Sequence, residues 1–199
     1  MLIVTRKMEL GKFVFRIENL TSVYGEASYT AGFIPRKIKV SGENGNTLKL
    51  IQTNWVLRIL NSLPVFNIFR FVPYRYYIDD IYMGRFKITP FKRGSYFIFG
   101  DDIFELQGHS KNYISLMKNN SQVALYKKDI ATFMEENRYT IKYDDRISIQ
   151  LLLLFCIFID VESYPNHLRI SASKYEVDFA IKDPYKERTH WEPDTISLL

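Results

Sequence analysis

The stretch RISIQLLLLFCIFIDVE, residues 146–162, is the most apolar part of this 199-residue chain. Its apolar run spans about a dozen residues, whereas a helix needs roughly 20 to cross the hydrocarbon core of a membrane. As a helix the run has no polar face, so other parts of the chain must bury every side of it. The inside of a closed barrel provides that environment. We therefore predict a buried central helix near 147–160, with a long central strand as the alternative.

Short segments of alternating polarity dominate the rest of the chain. In KFVFRIE (12–18), Phe13, Phe15 and Ile17 share one face, which is typical of a half-buried strand. RKIKVSGENGNTLKLIQ (36–52) has the pattern of a hairpin, with Asn44 and Gly45 suited to the positive φ angles of a tight turn. Further strands are predicted at 66–72, 75–79, 84–89, 95–100, 102–108, 112–118, 122–128 and 138–143. Many short strands separated by turns indicate an antiparallel barrel or sandwich.

The composition is that of a folded globular chain, with 47% hydrophobic and 25% charged residues. The single cysteine, Cys156, excludes an intrachain disulfide, and its apolar context indicates inert packing. The N-terminus lacks the apolar core and cleavage site of a signal peptide, so a cytoplasmic location is expected. Residues 1–163 are predicted to form one domain. Residues 164–199 are predicted to be an extension, partly strand and then a polar tail.

Three stretches carry a resemblance to a known family. They are KIKVSGENGNTLKLIQ with the following LPVFNIF, then GRFKITPFKRGSYFIF, then RYTIKYDDRISIQLLLLFCIFID. In these the chain resembles the LURP-one-related (YxjI-like) proteins of the tubby C-terminal-like superfamily, which also includes the phospholipid scramblases. The resemblance implies an antiparallel barrel of about twelve strands around a hydrophobic central helix that closes on Asp160. It also implies a role in binding lipid rather than in catalysis.

No pattern of catalytic residues is present. The chain lacks a nucleophile elbow, a phosphate-binding loop and a dinucleotide fingerprint. His109, His167 and His190 stand in unrelated contexts without metal-ligand spacing, and His109 is expected in a turn. The acidic pairs at 79–80, 101–102 and 144–145 are interpreted as turn and helix-cap residues. We therefore expect a non-enzymatic protein without a metal or cofactor.

Basic residues suggest a binding surface. Residues 1–100 carry 15 Lys and Arg against 6 Asp and Glu, whereas residues 101–199 carry 12 against 16. Cations two residues apart on a strand share a face, and a cross-strand neighbour can join them. Such a face can hold an anionic phospholipid head group. The candidate head-group residues are Arg36, Lys37, Lys39, Lys49, Arg85, Lys87, Lys92 and Arg93. Nucleic acid is less favoured as a partner, because no recognised RNA-binding motif accompanies the charge.

The segment TNWVLRILNSLP (53–64) interrupts the strand pattern and is predicted to form a short helix. Trp55, Leu57 and Leu60 would form a protein or membrane interface if this helix is exposed, or would close one barrel end if it is buried. The leading hypothesis is a binding or scaffold protein whose cationic barrel face meets anionic lipid. The alternative is a protein-interaction or self-association module with no lipid role.

Overall fold

The computed structural model describes residues 1–9, 12–18, 20–28, 36–53, 74–86, 94–99, 101–110, 113–129 and 137–163. Within these ranges the chain forms twelve strands and one helix. The strands of the first half are β1 (Leu2–Glu9), β2 (Lys12–Ile17), β3 (Leu20–Ser28), β4 (Lys37–Ser41), β5 (Thr47–Gln52), β6 (Tyr74–Ile78) and β7 (Ile81–Phe86). They are followed by β8 (Gly94–Phe99), β9 (Asp102–Ser110), β10 (Tyr113–Lys118), β11 (Ser121–Asp129), β12 (Asn137–Tyr143) and the helix α1 (Ile149–Ser163).

The strands form one antiparallel sheet in which chain neighbours are also sheet neighbours. The first strand pairs with the last, β1 with β12, so the sheet curls round on itself. Among the described residues, its two ends, β7 and β8, approach each other without forming a hydrogen-bonded ladder. We call this gap the seam. The result is a nearly closed twelve-stranded barrel, which confirms the predicted fold class.

Most of the predicted strands are confirmed to within a few residues. Two strands, β1 and β3, were not predicted, and the prediction at 66–72 lies outside the described residues. Inward positions are buried apolar side chains, such as Val4, Phe15, Val40 and Leu50. Alternate residues of each strand face outward, because successive side chains of a strand point to opposite faces.

Tight turns connect several strand pairs. Asp79 and Asp80, and likewise Asn119 and Asn120, all have positive φ angles, which matches the turn type that best fits the twist of a two-residue hairpin. The predicted Asn44–Gly45 turn is only partly right. Gly45 alone of the two has a positive φ, of 77°, and the connection is a five-residue loop from 42 to 46.

The apolar run forms α1, and its long central segment is fully buried from residue 152 to residue 160. The Ser148 hydroxyl accepts a hydrogen bond from the Leu151 amide at 3.3 Å, so Ser148 caps the helix start. One side of the helix lies very close to β3. A Cβ added to Gly25 would lie 2.2 Å from Cδ1 of Ile157, so only glycine fits at this point.

Aromatic rings fill the space between the other side of α1 and the sheet. Phe97 of β8 packs edge-on against Phe155 and Phe158, with ring centroids 5.2 and 5.1 Å apart. Phe104 of β9 lies 5.5 Å from Phe155, and Tyr74 of β6 lies 5.7 Å from Phe158. The helix is therefore enclosed by strands on opposite sides of the barrel. The helix prediction is confirmed, and the alternative of a central strand is wrong.

Candidate functional site: the cationic barrel wall

The outer surface of β4, β5 and β6 carries four basic side chains, which we call the cationic wall. The inward neighbours in these strands, among them Ile38, Leu50 and Tyr76, are buried in the core. Alternation therefore directs the intervening residues outward. The members of the cationic wall are Lys37 and Lys39 of β4, Lys49 of β5 and Arg75 of β6.

Strand register places these cations in two adjacent rows. Lys39 lies directly opposite Lys49 across the β4–β5 pair. In the next row Lys37 is opposite Ile51, and Ile51 in turn is opposite Arg75. Neighbouring strands are roughly 4.8 Å apart, so Lys37 and Arg75 are separated by about 10 Å at the backbone. The predicted common face of the β4–β5 hairpin is thus present, and Arg75 extends it.

A further like-charge pair continues the second row. Arg85 of β7 is the register partner of Arg75. The wall therefore contains two cross-strand positions, Lys39–Lys49 and Arg75–Arg85, at which like charges are opposed. Like charges that lie directly opposite each other in a sheet are destabilising.

Acidic neighbours neutralise only part of this charge. Lys49 forms an ion pair with the exposed Asp80 of the β6–β7 turn. Glu26 of β3 is the register partner of Lys39, but its carboxylate accepts a bond from Lys12 at 3.4 Å. Among the described residues, no acidic side chain forms a salt bridge with Arg75. In the described part of the chain, Lys39 and Arg75 therefore form no salt bridge and can receive an anion.

Arg36 has a different environment from the other predicted head-group residues. Its guanidinium Nη1 donates to the carbonyl of Val161 at 2.9 Å, in the last turn of α1. Its backbone amide donates to the side chain of the buried Gln52 at 3.2 Å. A cation at a helix C-terminus satisfies free carbonyl groups and the helix dipole. The structure thus places Arg36 at the end of the central helix, beside the wall rather than on it.

The remaining predicted site residues fall largely outside the described part of the chain. These are Lys87, Lys92 and Arg93 of the second basic cluster, and Trp55, Leu57 and Leu60 of the interface segment. Of the candidates Arg85, Lys87, Lys92 and Arg93, the structure therefore describes only Arg85. Whether these six residues contribute to binding stays a prediction.

A buried ionic cluster lies at the C-terminal end of α1 and was not predicted from the sequence. Arg6 and Asp160 are 2% and 1% exposed, and the guanidinium Nη1 lies 2.9 Å from the carboxylate Oδ2. The other carboxylate oxygen accepts bonds from the amide of Asn137, at 2.8 Å, and from the hydroxyl of Tyr139. The guanidinium also lies over the ring of Phe13, 4.6 Å from its centroid. This cluster joins β1, β2 and β12 to the helix.

Burial shifts the pKa values of the titratable groups beside this cluster in the direction that favours their neutral forms. Burial raises the pKa of the Cys156 thiol well above its ordinary value, and the negative charge of Asp160 raises it further. Burial also raises the pKa of Tyr126, whose hydroxyl donates to the Leu152 carbonyl at 3.1 Å. Burial lowers the pKa of Lys128, while Asp160 acts in the opposite direction. A protonated, enclosed thiol is a poor nucleophile, so these groups stabilise the core.

Other groups with catalytic or metal-binding potential are dispersed. Among the described residues, no three His, Cys, Asp or Glu side chains are grouped closely enough to hold a metal ion. His109 lies in β9, so the prediction that it lies in a turn is wrong. His167 and His190 are outside the described residues.

The same part of the chain contains no helix with the length and hydropathy needed to cross a bilayer. Comparison with known proteins finds no matching family model, no matching curated protein and no matching solved structure. The resemblance to the LURP-one-related proteins therefore stays a prediction.

Proposed function

We propose that this chain is a non-enzymatic binding or scaffold protein of the cytoplasm, and that its cationic wall binds anionic phospholipid head groups at a membrane surface. The observation that carries the proposal is the concentration of basic residues in two neighbouring rows of the sheet, where the strand register places Lys39 opposite Lys49 and Arg75 opposite Arg85. A cluster of cations on one outer face attracts anionic lipid head groups.

The positions of the cations suit a head group at a surface. Lys37 and Arg75 are exposed on the outside of the barrel. Their ammonium and guanidinium groups can donate hydrogen bonds to phosphate or carboxylate oxygens without any rearrangement of the buried core. Each cation near an anionic membrane surface contributes about 1 kcal/mol to binding. Several cations on one outer face therefore suit reversible, salt-sensitive attachment.

The resemblance to tubby-like proteins and scramblases supports the same conclusion, because it implies lipid as the ligand class. Cys156 and Tyr126 are enclosed and protonated, so neither is positioned to react with a substrate outside the barrel. These points favour binding over turnover.

Vesicle flotation of a charge-reversal variant tests the proposal. Lys37→Glu/Lys39→Glu removes two cations of the wall and should weaken binding to phosphatidylserine vesicles by at least ~30-fold, the equivalent of about 2 kcal/mol. Raising the salt concentration from about 0.1 M to 1 M shortens the screening length from ~10 Å to ~3 Å and should release the unmutated protein. Neutral phosphatidylcholine vesicles should not bind it.

Lys142→Glu is the matched control. Lys142 is exposed on β12, six strands away from β6 in the sheet. Its reversal changes the net charge by the same amount as the reversal of one wall lysine, but it leaves the wall unaltered. If net charge alone matters, Lys142→Glu should lose about half as much binding free energy as the wall variant, because it reverses one lysine instead of two. Unchanged binding of the wall variant would refute the proposed surface.

A further inference from the structure

Exposed apolar side chains lie on both sides of the seam. Tyr82 and Met83 of β7 are 51% and 49% exposed, and Ile98 of β8 and Ile103 of β9 are 51% and 49% exposed. Because β7 and β8 are adjacent across the seam, these side chains lie on three consecutive strands. A contiguous apolar patch on a globular protein is typical of an interaction surface.

The hairpins on the two sides of the seam present this patch in matching registers. In the β6–β7 hairpin, the pair Ile78–Ile81 flanks the turn at 79–80. The next pair away from the turn is Tyr77–Tyr82, which points outward. In the β8–β9 hairpin the outward pair Ile98 and Ile103 occupies the same position relative to the turn at 100–101. Rings on one side of the seam and branched aliphatic side chains on the other thus occupy equivalent positions relative to their own hairpin turns.

The next outward pairs carry opposite charges. Arg75 lies two residues beyond Tyr77 in β6, and Glu105 lies two residues beyond Ile103 in β9. At this level the seam therefore has a basic residue on one side and an acidic residue on the other, with apolar residues between them.

We propose that a second copy of this chain docks on the seam, related by a two-fold axis that runs parallel to the strands. Such an axis brings each side of the seam against the opposite side of the second copy. Tyr82 then meets Ile98, Tyr77 meets Ile103 and Arg75 meets Glu105, and each contact occurs twice. Self-complementarity of this kind is what an isologous dimer requires.

The charges favour a second copy over a membrane at this surface. Glu105 and the exposed turn residues Asp79 and Asp101 border the patch, and anionic lipid would repel them. The dimer instead pairs Glu105 with a cation. Both proposals use Arg75, but their tests are separate, because the dimer test changes Arg75 and Glu105 whereas the lipid test changes Lys37 and Lys39.

Complementary charge reversals test the dimer by sedimentation velocity at micromolar to submillimolar concentrations. The unmutated protein should form a dimer that weakens as salt is added. In the Arg75→Glu variant, both contacts between positions 75 and 105 join two acids, and in the Glu105→Arg variant both join two bases. Each variant alone should therefore weaken the dimer at least ~tenfold. An equimolar mixture of the two variants makes both contacts attractive again and should restore a one-to-one dimer.

The mixture separates loss of docking from loss of folding, because two misfolded chains do not repair each other. Lys142→Glu, on β12 and away from the seam, should dimerise like the unmutated protein. A monomeric unmutated protein, undiminished association of either single variant, or a mixture that stays monomeric would each overturn the proposal.

Discussion

The buried ion pair of Arg6 and Asp160 leads to a quantitative prediction about stability. Removing one member leaves the other charge in a core from which water is excluded, and such a change costs about 3 to 5 kcal/mol. Arg6→Leu and Asp160→Asn should therefore each lower the free energy of unfolding by about 3 kcal/mol. Removing both charges together leaves no uncompensated ion, so the double variant should lose only about 2 kcal/mol.

Urea unfolding followed by circular dichroism measures these differences. For a slope of about 2 kcal/mol per molar urea, each single variant should shift the midpoint by about 1.5 M. The double variant should lie nearer to the unmutated protein than either single variant does. The coupling energy from this cycle should exceed about 2 kcal/mol.

The pair of Lys12 and Glu26 is the matched control. It also joins neighbouring elements, at 3.4 Å, but the two side chains are 57% and 33% exposed. The same double-mutant cycle there should give a coupling energy below about 1 kcal/mol, because water screens the charges. The reasoning about the buried cluster is refuted if the losses from Arg6→Leu and Asp160→Asn simply add.

Three further predictions concern the helix and its surroundings. Leu153→Asp should unfold the barrel, because it places an unpaired charge at a position that is 1% exposed, whereas Leu153→Met should remain folded by circular dichroism. Gly25→Ala should cost about 1 to 3 kcal/mol in urea unfolding, and the Ile157→Val background, which removes the obstructing Cδ1, should reduce that loss. The raised pKa of Cys156 means that the unfolded thiol loses its proton first, so stability should fall as the pH rises above the ordinary value of 9.0. Cys156→Ala should remove up to ~1.4 kcal/mol per pH unit of this slope, and an unchanged slope would show that the thiol is accessible in the folded protein.

The central helix was predictable from local sequence because its environment is encoded in its composition. A run of apolar residues too short for a membrane and without a polar face has to be enclosed. The hairpin of β4 and β5 was predictable for a similar reason, since alternation and loop length together fix which lysines share a face.

Strand β1 was not predicted because one of its inward-facing residues is charged. The inward-facing positions are Leu2, Val4 and Arg6. The period-two pattern is broken at the position that matters most for the core. Asp160, an acid at the end of an apolar helix, is the matching signal 154 residues away. Two isolated opposite charges in apolar segments could have indicated a buried pair, but only the fold shows that they meet.

The functional surfaces depend on contacts between distant segments. Arg36 looks like a surface cation next to Lys37, yet it binds a carbonyl 125 residues later in the chain. The row from Lys37 to Arg75 requires the pairing of β5 with β6, whose connection is longer than a hairpin turn. The position of the seam is also not encoded locally, because nothing in β7 or β8 alone shows that these two strands fail to pair.

Footprinting of lysines on vesicles tests the proposed lipid surface most directly. Acetylation of the folded protein followed by mass spectrometry reports the reactivity of each ammonium group with and without phosphatidylserine vesicles. The account predicts that vesicles protect Lys37 and Lys39 while the reactivity of Lys142 stays the same. Protein that binds the vesicles but leaves Lys37 and Lys39 as reactive as in solution would contradict the assignment of the cationic wall.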